Sequence, residues 1–257
     1  MTKNLLLAGV LALGLGTGGA SAATTVNLAF ILDESGSVGS TNYNLAKNAL
    51  AAALGSVPVA DADYVYKVTV ISFSSSADLI YSGTINSAGD ITALQTAVTS
   101  STHSGGTTNY APAFNLLGTV DDADISIVNM FTDGDPCCTQ AVEDASTAAA
   151  AALQGKGWDS LSFEAIGGAN TGYLSQLAFD ANGSGLQPVI GDSALITDPL
   201  NSSFVLTLGN FGVDYQNAVT AKIRRIENPV IPLPAAFPLM AGGLVLLGFV
   251  GRRKKAA

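Results

Sequence analysis

The sequence predicts an α/β fold, a doubly wound and mostly parallel central sheet flanked by helices. Two segments, residues 25–32 and 124–132, are almost continuously apolar and rich in β-formers, which is typical of strands covered on both faces. Segments with helical spacing of apolar residues alternate with these and further strands, as expected of a parallel sheet. Residues 24–228 are long enough for one domain with a well-buried core.

After the first strand, apolar residues recur at helical spacing over 42–54, with Ser40 or Thr41 available as the N-terminal cap. Residues 64–73 and 77–82 then predict two strands. The remaining predicted elements are helices at 91–98, 111–117, 141–153, 173–179 and 213–226 and strands at 161–166 and near 204–208.

Particular residues support three of these helices. Pro112 lies in the first turn of the third helix, where its missing N–H is tolerated. The fourth helix, 141–153, is rich in alanine, and the last, 213–226, is amphipathic. The Gly- and Ser-rich stretch 180–210 has weak periodicity and predicts little beyond the strand near 204–208.

The charge of the chain excludes one class of partner. The formal net charge is −9, and five of the eleven basic residues lie in the two end segments, whereas all twenty acidic residues lie between them, so the body has a formal charge of 6 − 20 = −14. The body between those ends is therefore strongly acidic, which makes nucleic acid an unsuitable ligand. An acidic surface suits solubility and the capture of cations.

The first 23 residues have the pattern of a signal peptide. Lys3 precedes an apolar stretch over 5–15, and the small residues 20–23 fit a signal-peptidase site after Ala22 or Ala23. This segment predicts that the protein is exported and that its body works outside the cytoplasm.

The last segment, 229–257, has the pattern of a membrane-spanning segment with a basic stop. Residues 231–250 are apolar or small, and four basic residues follow at 252–255. Prolines leave only 239–250 as an uninterrupted helical run, which is short for a permanent span. A temporary inner-membrane anchor is the expectation.

This segment resembles the C-terminal sorting signals of the PEP-CTERM class in their VPLPA variant. The motif is IPLPA at 231–235, with Ile231 in place of valine, followed by the hydrophobic helix and the basic end. The resemblance implies a Gram-negative bacterium and an exosortase-type enzyme that removes the tail and leaves the body on the cell surface. An ordinary single-pass anchor is the alternative.

Cys137 and Cys138 are neighbours in the chain, which rules out an ordinary loop-closing disulfide between them. In an oxidising compartment, three states remain open: a strained vicinal disulfide, two free thiols, or a bond to another chain.

Three polar loops carry the chemistry of the sequence. Asp33, Ser35 and Ser37 follow the first buried strand, residues 105–109 precede a helix, and residues 131–135 end the strand 124–132. Ligands bind beyond the carboxyl ends of strands in open α/β sheets. Carboxylates and hydroxyls there offer only oxygen, the donor that hard dications prefer.

The three loops together resemble the von Willebrand factor A domain, also called the integrin I-like domain. Its metal-ion-dependent adhesion site has the pattern D-x-S-x-S, then a threonine, then an aspartate. All five positions are matched, by Asp33, Ser35, Ser37, Thr108 and Asp133, with Thr107 as the alternative for the threonine. The resemblance implies a divalent cation, with Mg²⁺ expected and Mn²⁺ or Ca²⁺ as alternatives.

In such a site the hydroxyls contact the cation directly, and one or both aspartates act through water. The resemblance implies that the open coordination position then attracts a carboxylate from a partner, either a protein or an extracellular polymer. The expected function is a surface adhesion module, not an enzyme. One alternative is a component of an extracellular matrix or biofilm with a stabilising metal. The other is a hydrolase centred on His103, but the sequence contains no nucleophile motif.

Outside the five positions, no ligand role is expected. Asp135 and Glu34 are expected to be solvated loop acids, although either could tune the field of the site. Trp158 is expected to serve packing.

Overall fold

A mixed α/β sheet with helices on both faces forms the centre of the molecule. A computed structural model describes residues 23–227 except 60, 62, 122, 123, 185, 200 and 201. The strands are β1 (Thr24–Asp33), β2 (Tyr64–Phe73), β3 (Ala77–Ile85), β4 (Ile125–Thr132), β5 (Ser160–Ile166), β6 (Phe179–Asp180), β7 (Gly183–Ser184), β8 (Val189–Ile190) and β9 (Val205–Leu208). The helices are α1 (Gly39–Leu54), α2 (Ala88–Ser100), α3 (Ala111–Leu116), α4 (Gln140–Gln154), α5 (Thr171–Leu177) and α6 (Val213–Glu227), with a 3₁₀ turn at Ser193–Leu195.

The central strands are parallel, as the sequence predicts. β1 lies between β2 and β4 and is parallel to both, and β4 is parallel to β5. Antiparallel β3 forms one edge. Beyond β5, the short β6 pairs with its first half and β9 with its second half. The carboxyl ends of β1, β2 and β4 therefore meet at one edge of the sheet.

The strands bury both of their faces, because their side chains alternate between two apolar cores. Even-numbered residues of β1, such as Leu28 and Phe30, pack with helices α1, α2 and α6. Odd-numbered residues, such as Ala29 and Ile31, pack with α3, α4 and α5 on the other face. This double burial explains the continuous apolar run that predicts β1.

Every strand and helix predicted from periodicity is present, and the differences lie at the ends. Helix α1 begins at Gly39 with Val38 at its cap and no side-chain capping bond, so the predicted cap by Ser40 or Thr41 is wrong. Helix α2 is longer than predicted because Ser87 caps it by accepting from Asp90 N–H. Helix α5 begins two residues early, where the side chain of Asn170 accepts from Tyr173 N–H.

The predicted signal peptide and the predicted C-terminal sorting segment lie outside the described residues, apart from Ala23 at the end of the first. Within the described part of the chain, no helix is long and apolar enough to cross a membrane.

Candidate metal centre

Three loops converge at the carboxyl edge of the sheet and are fastened to one another through their backbones. The first loop follows β1, the second joins α2 to α3, and the third follows β4. Gly36 N–H donates to Gly106 O at 2.9 Å, Gly105 N–H donates to Glu34 O at 3.1 Å, and Cys137 N–H donates to Thr108 O at 2.9 Å. The second loop follows a helix instead of a strand, yet it crosses the same edge.

Asp33, the last residue of β1, is the deepest group of the site and is fully buried. Its Oδ1 accepts from Ser35 N–H at 2.8 Å, and its Oδ2 accepts from the hydroxyl of Thr132 at 2.6 Å. These two bonds hold the carboxylate in one orientation. Thr132 ends β4, so its hydroxyl fixes the aspartate of the neighbouring strand.

Ser35, Ser37 and Asp133 form a chain of oxygen atoms towards the surface. The hydroxyls of Ser35 and Ser37 are 3.1 Å apart, and the hydroxyl of Ser37 donates to Asp133 Oδ1 at 2.8 Å. Ser35 is buried, Asp133 is half-buried and Ser37 is exposed. The structure thus brings the first and third loops into direct side-chain contact.

Thr108 of the second loop lies beside this chain. A Cβ atom on Gly134 would be 3.9 Å from Ser37 Oγ and 4.0 Å from Thr108 Oγ1, so both hydroxyls border the same backbone. Thr107 is directed elsewhere, since its hydroxyl is 2.9 Å from that of Ser75 and its N–H donates to the same atom. Of the two threonines left open by the sequence, the geometry favours Thr108.

Gly106 explains how the second loop approaches so closely. Its φ is +108°, and a Cβ atom there would lie 2.8 Å from Ser75 Oγ. Any other residue would be strained at this φ and would push the loop away from the site.

The two aspartates resist ionisation in the protein without a cation. Burial raises the pKa of Asp33 to about 6, against the opposing hydrogen bonds from Ser35 and Thr132, and the nearby charge of Asp133 adds to the rise. Burial also raises the pKa of Asp133, while its hydrogen bond from Ser37 lowers it. The groups that set these two pKa values include no cationic side chain.

The arrangement fits a hard dication. Its donors are two carboxylates and three hydroxyls, all oxygen, and a bound cation would supply the positive charge that the aspartates lack. The described residues contain no cluster of three or more His, Cys, Asp or Glu side chains suited to a metal.

Sequence reasoning missed three residues that support the site. Thr132 was assigned only to its strand, although it orients Asp33. The buried hydroxyl of Tyr110 donates to Gly134 O, which supports the third loop from below. His103 Nε2 lies 3.1 Å from Ser35 O, so the single histidine contacts the first loop. The T-D-G turn was a visible signal for Thr132, but nothing in the sequence indicates the other two contacts.

The expectation that Glu34 is a solvated loop acid is wrong. Glu34 is 2 % exposed, and its carboxylate accepts from the hydroxyl of Ser72 at 3.2 Å and from Ser104 N–H at 3.2 Å. Although Glu34 is next to Asp33 in the chain, its carboxylate binds Ser72 and Ser104 and so fastens the second loop to β2. Asp135 is half-buried, and its Oδ1 accepts from Asn170 N–H at 2.9 Å.

Two further expectations are resolved outside the five positions. Cys137 and Cys138 form a vicinal disulfide across a cis peptide bond, in the loop after β4. Trp158 is 5 % exposed within the core and donates from Nε1 to Gly118 O at 3.0 Å, which confirms its packing role.

Comparison with protein families finds one match, the von Willebrand factor type A domain, over residues 27–185. That range covers more than half of the chain and includes all five predicted site positions. No curated protein sequence matches the chain significantly.

Solved structures share the fold at low identity. Proximal thread matrix protein 1 from the mussel byssus, with a zinc-occupied MIDAS motif, is 18 % identical with a TM-score of 0.53, over 77 % of this chain and 46 % of that one. A von Willebrand factor type A protein from Catenulispora acidiphila is 18 % identical with a TM-score of 0.54, over 77 % and 42 %. Manganese-loaded TRAP protein from Plasmodium vivax is 18 % identical with a TM-score of 0.50, over 77 % and 71 %. The chain spans less than half the length of the mussel and Catenulispora proteins.

Proposed function

The chain belongs to the von Willebrand factor type A family, and from this premise we propose that it is an exported, surface-presented interaction module that holds a partner through a divalent cation. The cation ligands would be Asp33, Ser35, Ser37, Thr108 and Asp133. One observation carries the proposal: three loops bring two carboxylates and three hydroxyls together at one sheet edge, and no cationic side chain contributes to the pKa shifts of those carboxylates.

The hydroxyl groups and the buried carboxylate of the site have different roles. The hydroxyls of Ser35, Ser37 and Thr108 are neutral donors, so they bind a dication without cancelling its charge. Asp33 is held by Ser35 N–H and Thr132 and supplies negative charge from below. A bound cation would keep enough positive charge to attract a carboxylate from a partner on its exposed side. The partner is a protein or an extracellular polymer that offers such a group.

We take Mg²⁺ as the resident cation, with Mn²⁺ and Ca²⁺ as alternatives, because oxygen donors accept all three. Zinc and manganese are present in the related mussel and Plasmodium structures, respectively. Those proteins share the fold with this chain, so their metals support a cation at the site without choosing its identity.

The export part of the proposal rests on the two ends of the sequence. Residues 1–23 have the pattern of a signal peptide, and residues 229–257 have the pattern of an exosortase sorting signal. The module would reach the surface of a Gram-negative bacterium after passing through a temporary inner-membrane anchor. We assign it no catalytic activity.

The test is capture of surface material by the purified protein with Mg²⁺ and with EDTA. We expect a defined partner to be retained with Mg²⁺ and released by EDTA, and to be lost when Asp33 and Ser35 are both replaced by alanine. Asp135→Asn is the matched control, since Asp135 lies two residues from Asp133 but contacts Asn170. Full cation-dependent capture by the double variant would overturn the proposal.

A structural role in an extracellular matrix is the second candidate. It is suggested by the mussel thread matrix protein, whose fold this chain shares. In this case Mg²⁺ would raise the melting temperature while EDTA would leave partner capture unchanged. The two readouts together distinguish a metal that holds a ligand from one that only rigidifies the loops.

A further inference from the structure

A second polar cluster lies beneath helix α6, on the α6 face of the sheet. Lys222 of α6 donates from Nζ both to Asn129 Oδ1 of β4 and to Glu164 Oε1 of β5. The exposed fractions of the three residues are 3 %, 2 % and 0 %. An amine, a carboxamide and a carboxyl group are thus enclosed together in the interior.

The sheet register brings the two strand residues to one point. Asn129 pairs with Ser162, and Phe131, two residues further along β4, pairs with Glu164. Asn129 and Glu164 therefore project from adjacent strands to the face that α6 covers. The ring of Phe204 lies with its centre 4.5 Å from Lys222 Nζ and supplies an apolar surface beside the amine.

Two atoms of this cluster make no hydrogen bond of good geometry among the described residues, although Asn129 is close enough to Glu164 to lower its pKa. They are Asn129 Nδ2 and Glu164 Oε2, both buried. A buried polar atom without a partner is unfavourable, and so is a buried charge, even when it is paired. The cluster is therefore a costly arrangement as long as its three side chains remain separate.

The protonation states suit a reaction within the cluster. Burial lowers the pKa of Lys222, although Glu164 opposes the change. Burial also raises the pKa of Glu164, although Lys222 and Asn129 oppose it. Both shifts favour a neutral amine beside a neutral carboxylic acid. A neutral amine is a nucleophile, and here it is in contact with the carbonyl end of a carboxamide.

We propose that Lys222 and Asn129 are joined by an intramolecular isopeptide bond, formed with Glu164 as the proton carrier. The neutral Nζ of Lys222 attacks Cγ of Asn129 while Glu164 donates a proton to the amide oxygen. Glu164 then takes a proton from Nζ and passes one to Nδ2. As the Cγ–Nδ2 bond breaks and one molecule of ammonia leaves, the carbonyl forms again and its oxygen returns the first proton to Glu164. One Nζ–Cγ bond has then replaced one Cγ–Nδ2 bond, with no oxidant or cofactor required.

The bond removes two of the unfavourable features of the cluster. Asn129 Nδ2, the nitrogen without a well-formed hydrogen bond, departs as ammonia, and the amine of Lys222 becomes a neutral amide. A cavity of about 10 Å³ beside Asn129 and Lys222 matches the size of one small molecule such as ammonia or water. The product links the last helix covalently to a central strand, which closes the chain between residues 129 and 222.

This cross-link would not involve the metal centre, and it would strengthen the chain against force applied from its C-terminal side. Helix α6 is the last described element before the C-terminal segment. A force applied at that end would be transmitted to β4 through the covalent bond at Lys222. Helix α6 would then stay attached to the sheet under load.

The decisive experiment is mass spectrometry of the purified protein, which needs no variant. We expect the intact mass to be lower than the sequence mass of the same processed form by one ammonia. A tryptic digest should contain a single branched peptide that joins the segments around Asn129 and Lys222. An unchanged mass with both segments recovered separately would overturn the proposal, as would an ammonia loss at another site or a bond between Lys222 and Glu164.

Variants test the assigned roles. Lys222→Met and Glu164→Gln should each restore the full mass and lower the melting temperature by about 10 °C or more, since closing a long loop stabilises strongly. Lys156→Met is the matched control. Lys156 is half-buried, and it donates only to the backbone carbonyls of Phe114 and Leu117. It should keep the ammonia loss. Retention of the loss in Glu164→Gln would contradict the role of Glu164.

Discussion

The metal centre and the cluster beneath α6 both bury carboxyl groups whose pKa values burial raises, but they compensate those groups differently. Beneath α6, Glu164 has Lys222 as an internal partner. At the sheet edge, Asp33 has only hydroxyl and N–H donors, and the charge that contributes to its pKa shift is that of another aspartate, Asp133. The cluster beneath α6 therefore has a basic partner for its carboxyl group within the chain, whereas the metal centre needs a positive charge from outside.

Removing the internal partner should have the largest effect on stability. Lys222→Met removes the proposed covalent link between residues 129 and 222, and closing a loop of that length stabilises a folded chain by about 4–5 kcal/mol. We expect at least this loss in the free energy of unfolding, measured by denaturant titration with and without Mg²⁺. If Mg²⁺ restored the whole free energy of unfolding lost in Lys222→Met, the stability of the cluster would depend on the metal centre, contrary to this account.

The metal-free protein should lose stability as pH rises past the acidic range. The pKa of Asp33 is about 6 in the folded protein and 3.8 as the ordinary value, so the folded state binds the proton more tightly. The contribution of Asp33 is therefore most favourable below pH 4 and falls by up to about 3 kcal/mol as pH rises through 6.

Comparison of the wild type with Asp33→Asn across pH isolates this contribution in EDTA. Asp33→Asn should remove the fall between pH 4 and 6, so the wild-type and variant unfolding curves should converge at low pH and separate near pH 7. A variant that is less stable than the wild type by the same amount at every pH would contradict the assignment.

Supplying the missing charge should stabilise the sheet edge. Mg²⁺ at about 100 times its Kd should add about 2.7 kcal/mol to the free energy of unfolding, because only the folded chain assembles the site. Calorimetric melting in Mg²⁺ and in EDTA measures the difference. A melting temperature indifferent to both conditions would indicate that no cation is held.

The smallest predicted effect separates two neighbouring threonines. Thr108→Ala should weaken Mg²⁺ binding by about tenfold or more, as measured by titration calorimetry, because it removes a direct ligand and even outer-shell partners contribute about 10–100-fold. Thr107→Ala should leave the affinity nearly unchanged, because its hydroxyl bonds to Ser75 outside the chain of donors. The reverse order would assign the ligand to Thr107.

Much of the fold could be predicted because its strands are long and buried on both faces. The continuous apolar runs of β1 and β4 leave few alternatives to a central sheet. The strands β6, β7 and β8 were not predicted, since two-residue strands carry no periodicity. The cap of α1 was wrong because that helix begins without a side-chain cap at all.

The candidate site was predictable to the extent that it follows a motif. Asp33, Ser35, Ser37 and Asp133 are contiguous with strand ends, and the structure brings them together. The supports are different, because the contacts of Tyr110 with Gly134 and of His103 with Ser35 join residues distant in sequence. The cluster of Lys222, Asn129 and Glu164 was missed for the same reason, since its members come from three separate elements.

The most direct test of the metal centre is a crystal structure of the protein grown with Mn²⁺, in which anomalous scattering locates the ion. The account predicts one anomalous peak at the carboxyl edge of the sheet, coordinated by the hydroxyl oxygens of Ser35, Ser37 and Thr108 with Asp33 and Asp133 around it. Absence of a peak between the three loops at saturating Mn²⁺, or a peak held by other residues, would contradict it.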